Sequence, residues 1–165
     1  MLRFFTAGTV VLGAVLATHP TFAPERHGIH ALPTTPPDSG VLMPVGPPVS
    51  GPTRTDAGRS CIVDLAQRYS FSGALSGAAD INYRIIAAGP CGAPPGTYAE
   101  EWIALGTFNG QAHADSVAAR FSYVARVHAG GEVEGHIVFG QGLAGAVEVL
   151  GNFRDGRLQY RGRLD

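Results

Sequence analysis

The stretch Phe121-Ser-Tyr-Val-Ala-Arg-Val-His-Ala-Gly-Gly-Glu-Val-Glu-Gly-His-Ile-Val-Phe139 decides the fold. Apolar and polar residues alternate on both sides of Ala129-Gly130-Gly131, the two-residue period of half-buried strands joined by a turn. Two loop lengths compete there, and they give opposite faces. A two-residue Gly-Gly loop would set Glu134 and His136 among Phe121, Tyr123 and Val127. A three-residue loop, with Gly131 taking the positive φ of a bulge, pairs Phe121 with Phe139, Tyr123 with Ile137 and Val127 with Val133. It also sets Arg126 against Glu134 on the other face. Only this register keeps one face apolar, so the three-residue loop is predicted.

The same alternation runs outward in both directions. Upstream, Val63, Leu65, Tyr69 and Phe71 stand opposite Leu75, Ile81, Tyr83 and Ile85. Downstream, Asp155-Gly156 suits a two-residue type I′ hairpin that pairs Arg154 with Arg157 and Phe153 with Leu158. That register gathers Val147, Val149, Leu158, Tyr160 and Leu164 on one face and sets Glu148 against Arg163 on the other. Phe71-Ser-Gly73, Phe108-Asn-Gly110 and Phe153-Arg-Asp-Gly156 read as punctuation closing strands. Seven strands follow, at 62–71, 75–86, 97–108, 117–128, 132–139, 145–153 and 157–164, and Gln111–Asp115 is a candidate short eighth. With no helical period from Ser60 onward, the prediction is an all-β domain over 59–165. Closure removes unpaired strand edges, so an antiparallel up-and-down barrel of seven or eight strands is expected, with a β-sandwich as the alternative.

Ahead of these strands the chain changes character. Arg3 and the uncharged run Phe4–Leu16, 13 residues, read as a secretory signal over 1–23. As a helix that run spans roughly 20 Å against roughly 30 Å of hydrocarbon, too short for a comfortable membrane span. Thr21-Phe22-Ala23 and Val15-Leu16-Ala17 are the two cleavage candidates. Eight of the 12 prolines fall between Pro24 and Pro52, so 24–58 reads as an extended linker unable to form a packed element. Export to the periplasm or medium is therefore expected. Cys61 and Cys91, the only cysteines, are then expected to form a structural disulfide, with about 3.7 kcal/mol of loop-closure entropy for a loop of about 31 residues.

Composition excludes several classes. The net charge is −1, which gives no basic face for a nucleic-acid backbone. All 12 cationic residues are Arg, which removes Schiff-base chemistry, pyridoxal-phosphate attachment and the phosphate-binding lysine of nucleotide loops. Gly140-Gln-Gly142-Leu-Ala-Gly145 matches the dinucleotide pattern in form, but the 20 residues that follow read as a hairpin and supply no helix. No hydrolase or metal signature is present, and no cofactor is expected. His113, His128 and His136 have no ligand spacing and read as surface residues, with His19, His27 and His30 outside the fold. Arg154, Arg157, Arg161 and Arg163 form an outward row that reads as a solvated face.

The runs FSGALSGAADINYRI, YAEEWIALGTFNG and GEVEGHIVFGQGLAG, within Tyr69–Asp165, resemble bacterial proteins of the allene oxide cyclase-like barrel group. The resemblance implies a small eight-stranded barrel with a partly apolar interior. The plant enzymes of that group cyclise an unstable fatty-acid epoxide, but their catalytic positions do not map onto this chain residue by residue.

Two sets of side chains are candidates for function. Alternation puts Glu101 on a face with Ile103 and Leu105, and Glu100 on a face with Trp102 and Phe108, so one glutamate is expected to point inward. An inward carboxyl in apolar surroundings can act as a general acid or base. Tyr69, Tyr83, Tyr123 and Tyr160, with Trp102, fall on apolar faces and are candidates to line a ligand site. The expected role is binding a small apolar or lipid-like ligand. The alternatives are an isomerase or cyclase using Glu100 or Glu101, and a structural envelope module whose barrel is filled by its own side chains.

Overall fold

A computed structural model of the chain describes residues 36–165. The predicted signal peptide over 1–23, its cleavage candidates, the first part of the proline-rich segment, and His19, His27 and His30 lie outside the described residues. Nine strands follow one another: β1 (Asp38–Pro44), β2 (Ser50–Ala57), β3 (Ser60–Gly73), β4 (Leu75–Ala87), β5 (Glu100–Ala112), β6 (Asp115–Val127), β7 (Glu132–Gln141), β8 (Gly145–Asn152) and β9 (Arg157–Leu164). From β3 to β9 each strand pairs antiparallel with the next. β1 then pairs with β9 on one side and with β3 on the other, which closes eight strands into a barrel. β2 is a ninth, lying outside the ring on the first half of β3.

The registers follow the side-chain argument. Phe121 faces Phe139, Tyr123 faces Ile137, Arg126 faces Glu134 and Val127 faces Val133 across the three-residue loop, and Gly131 has a φ of 94°. Val63 faces Ile85 and Leu65 faces Tyr83, as alternation requires. Buried and exposed positions alternate through β5 and through β6 and β7 apart from the start of β6 and the end of β7.

Four expectations need correction. First, the proline-rich 24–58 does form strands in its second half: β1, which buries Leu42 in the barrel, and β2, which is paired with β3 but exposed throughout. Proline withholds an N–H only at its own position. Pro44 ends β1, whereas Pro52 sits in β2 at the register shift between Ser50 and Thr53, on a strand paired along one side. Second, the eighth barrel strand is β1. Gln111 and Ala112 extend β5, Asp115 opens β6, and His113-Ala114 makes the turn with φ of 50° and 76°. Third, Phe108-Asn-Gly110 lies inside β5 and closes nothing; Gly110 stands opposite Gly77 where two backbones approach closely. Fourth, the β8–β9 connection is a four-residue turn built on one 3₁₀ turn, Phe153–Asp155. Asn152 therefore faces Arg157, and Glu148 faces Arg161 rather than Arg163. The pairing slips by two residues, one full side-chain period, so every predicted face survives.

Closure is tight where β1 enters. A Cβ on Gly40 would collide with the Ser72 carbonyl and the Tyr160 hydroxyl, so only glycine fits between β9 and β3 there. Tyr160 Oη accepts a hydrogen bond from Leu75 N at 2.7 Å, tying β9 to the start of β4. Asp38, at the start of β1, takes Leu164 N at 2.9 Å and His113 Nε2 at 2.6 Å. These contacts gather at one end of the barrel, which is packed solid by Leu42, Phe71, Leu75, Phe108, Tyr160 and Leu164. Phe71 meets Phe108 edge-on with ring centres 5.5 Å apart. The opposite end carries the β1–β2, β4–β5, β6–β7 and β8–β9 connections, and there the interior is open.

Candidate functional site

A cavity of about 320 Å³ occupies the open end, at the lower limit of the roughly 300–1,000 Å³ typical of small-molecule sites. Its wall is the inward face of β3 and β4, supplied by Val63, Leu65, Tyr69, Tyr83 and Ile85, with Glu100 and Trp102 from the start of β5. Its rim is built from two segments remote in sequence. One runs from the end of β1 into β2, with Pro44, Pro48 and Pro52, and the other is the β4–β5 loop with Pro90, Pro94 and Pro95. A proline rim has no backbone N–H to leave unpaired beside an apolar ligand, and its fixed φ makes it stiff. The segment that reads as a linker in sequence thus forms one lip of the cavity.

Three fastenings hold the β4–β5 loop over the barrel end. Cys61 in β3 is disulfide-bonded to Cys91 in the loop. Glu100 accepts a hydrogen bond from Gly96 N at 2.8 Å on one oxygen and from Trp102 Nε1 at 2.7 Å on the other. Arg154, in the β8–β9 turn, donates to the Gly96 carbonyl at 3.0 Å. Phe153 of the same turn packs on the Trp102 indole with ring centres 5.7 Å apart and lines the cavity beside it. Gln67, buried in β3, donates to the Gly46 and Arg68 carbonyls and ties down the other lip.

Tyr69, Tyr83, Trp102 and Tyr123 form a contiguous aromatic wall. Ring centres lie 6.3 Å apart for Tyr69 and Tyr83, 5.7 Å for Tyr83 and Trp102, and 6.1 Å for Tyr83 and Tyr123. Tyr83 lines the cavity, and Tyr123 stands behind it in the packed core. Both hydroxyls are buried and neither has a hydrogen-bond partner among the described residues. Burial pushes the Tyr83 hydroxyl well above its ordinary pKa, and the neighbouring Tyr69 and Tyr123 hydroxyls add to the shift. Burial raises the Tyr69 hydroxyl as well, and its pairing with the Tyr83 hydroxyl offsets part of that rise. The Tyr123 hydroxyl is raised chiefly by burial as well. All are therefore protonated donors at neutral pH. An orphaned buried hydroxyl costs about 1–3 kcal/mol, so two side by side beside a cavity are unusual in a finished core.

The structure separates the sequence candidates. Glu100 points inward with Trp102 and lines the cavity, whereas Glu101 faces outward with Ile103 and Leu105. Both oxygens of Glu100 act as acceptors to fixed N–H groups, so its geometry is that of a brace between loop and strand. Tyr69, Tyr83 and Trp102 line the cavity, and Tyr123 adjoins it. Tyr160 is at the solid end, with its hydroxyl taken up by Leu75 N. His128 and His136 lie on the outer face of the β6–β7 hairpin and His113 at the β5–β6 turn, and no group of three metal-ligating side chains occurs among the described residues. Sequence reasoning missed the prolines and Gln67. Their signal was the density of proline itself, which marks a rim as readily as a linker. No helix among the described residues is long and apolar enough to cross a membrane. Comparisons with family models, curated proteins and solved structures find no match for this chain.

Proposed function

We propose that this is an exported barrel of the allene oxide cyclase-like kind that binds a small, largely apolar molecule in the cavity between β3, β4, β5 and the two proline lips. The observation that carries this reading is a largely apolar cavity of about 320 Å³ inside a closed barrel, walled by Val63, Leu65, Tyr69, Tyr83, Ile85 and Trp102. A filled structural module would have no such space, because eight strands bring in enough side chains to pack the interior, as they do at the other end. The acid–base reading draws less support, since Glu100 is engaged at both oxygens. The Cys61–Cys91 disulfide suits an oxidising compartment and supports export.

Native mass spectrometry of the full chain purified from its host, followed by organic extraction, tests the reading. A stoichiometric small molecule that is lost on denaturation is the expected result. A clean apo mass that does not shift with added fatty acids, isoprenoids or bicyclic hydrocarbons overturns it.

A further inference from the structure

Resting on the binding reading above, we propose that the ligand is an organic cation, an ammonium group on an apolar skeleton, held between the Glu100 carboxylate and a box of aromatic rings. Glu100 lines the cavity and is 6% exposed, and no cationic side chain pairs with it among the described residues. It accepts from Gly96 N on one oxygen and from Trp102 Nε1 on the other. Both donors are neutral, so they fix the carboxylate in place and leave its charge unmatched. A buried carboxylate in apolar surroundings is costly without a counter-charge, and a cation entering the cavity supplies one. Each oxygen also retains acceptor capacity beyond the bond it already takes, which an ammonium N–H can use.

The rings beside Glu100 suit the same chemistry. Tyr69, Tyr83, Trp102 and Phe153 all line the cavity and follow one another at ring-centre separations of 6.3, 5.7 and 5.7 Å. Successive planes are inclined by 51°, 79° and 51°, so the rings turn about the space instead of stacking. The faces of Trp and Tyr attract a cation within about 6 Å of the ring centre, most strongly where water is excluded. Glu100 meets the Trp102 indole nitrogen at 2.7 Å, which puts the carboxylate at the edge of that box. The remaining charges disfavour the opposite sign. Arg54 is the only cation in the lining, and it is exposed at the mouth, where solvent screens it. Arg154 is directed to the Gly96 carbonyl at 3.0 Å. An anion inside would meet Glu100 with no cation beside it, and a plain hydrocarbon would fill the space but leave the carboxylate unmatched.

Three probes titrated against the full chain separate these cases. Benzyltrimethylammonium and neopentylbenzene share one shape and differ by nitrogen for carbon, hence by one charge, and 3-phenylpropionate carries the opposite sign. Trp102 is the only tryptophan and lines the cavity, so its emission reports binding directly. In the parent protein the cation is expected to bind about tenfold more tightly than its neutral isostere, and the anion more weakly than either. Glu100→Gln should erase most of that preference, whereas Glu101→Gln, facing outward, should keep it. Because Glu100→Gln also loosens the loop, Tyr69→Leu gives a second reading: it removes a ring and no charge, and should weaken the cation about threefold more than neopentylbenzene. Equal affinities for the cation and its isostere in the parent, or a preference that survives both Glu100→Gln and Tyr69→Leu, overturn the inference and leave the cavity reading standing. Tighter binding of the anion than of the cation also overturns it. If no probe binds the parent, the binding reading itself has failed.

Discussion

Replacing Glu100 by Gln tests whether this residue is a brace or a free acid–base group. In the structure it accepts from Gly96 N at 2.8 Å and from Trp102 Nε1 at 2.7 Å, and it is 6% exposed. Hydrogen bonds to a charged group contribute about 1.5–3 kcal/mol each, and removing one partner leaves the other buried and unpaired. Gln keeps one acceptor oxygen but turns an NH2 toward the second donor, so one bond is lost and two donors are opposed. The expected destabilisation is about 2–3 kcal/mol for Glu100→Gln, and about 3–5 kcal/mol for Glu100→Ala, which frees both donors. Glu101→Gln, one residue away but facing solvent, is the control and should stay within about 0.5 kcal/mol. Urea titration of the oxidised protein, followed by Trp102 emission, measures all three. The emission of folded Glu100→Gln should also shift, since the indole N–H has lost its acceptor. If Glu100→Gln proves as stable as Glu101→Gln, the carboxylate does not hold the loop and the acid–base reading regains its ground.

Other consequences concern the fastening of the loop, the closure of the barrel and its packing. Replacing both Cys61 and Cys91 by Ala should cost about 3–4 kcal/mol by loop entropy alone, seen as a lower urea midpoint, and should weaken apolar-ligand binding by loosening one lip. The His113 hydrogen bond is the largest of the effects that hold the Asp38 carboxyl below its ordinary value of 3.8. Its contribution is therefore complete above about pH 4 and is lost as pH falls through the lower folded value. Asp38→Asn should flatten the stability profile between pH 4 and 2, and parallel profiles for variant and parent would refute this (the pH range is about that of an ordinary carboxyl). Gly106→Ala places a Cβ against the Phe121 ring directly opposite, so a loss of about 1–3 kcal/mol is expected from overpacking. A neutral result in calorimetry would mean the ring has room to move.

Much of the barrel is legible in the chain because strand faces are local. Phe121 and Phe139 find each other because one three-residue loop separates alternating runs, and a slip of one would bury Glu134. The β8–β9 register shows the limit of such reasoning. The four-residue turn around Phe153–Asp155 moves every cross-strand neighbour by two, so Glu148 meets Arg161, yet no face changes. Side-chain period constrains parity and leaves the loop length to local turn energetics, here the hydrogen bond from Arg154 N to the Asn152 side chain. Likewise the inward direction of Glu100 is one of two options that alternation allows. Which option holds depends on where the β4–β5 loop places the Gly96 N–H that the inward carboxylate accepts.

By itself the sequence determined an antiparallel all-β chain, the apolar face of each hairpin, and the cysteine pair available for a bridge. These depend on neighbours two residues apart or on a single turn. Tertiary structure alone decided that Asp38–Pro44 closes the ring, since its value as a strand comes from β9 and β3 on either side and not from its own composition. It also decided that one end of the barrel is solid and the other open. That outcome is a sum of side-chain volumes from eight strands, set against two proline lips whose prolines lie about forty residues apart, and no local pattern along the chain records such a sum.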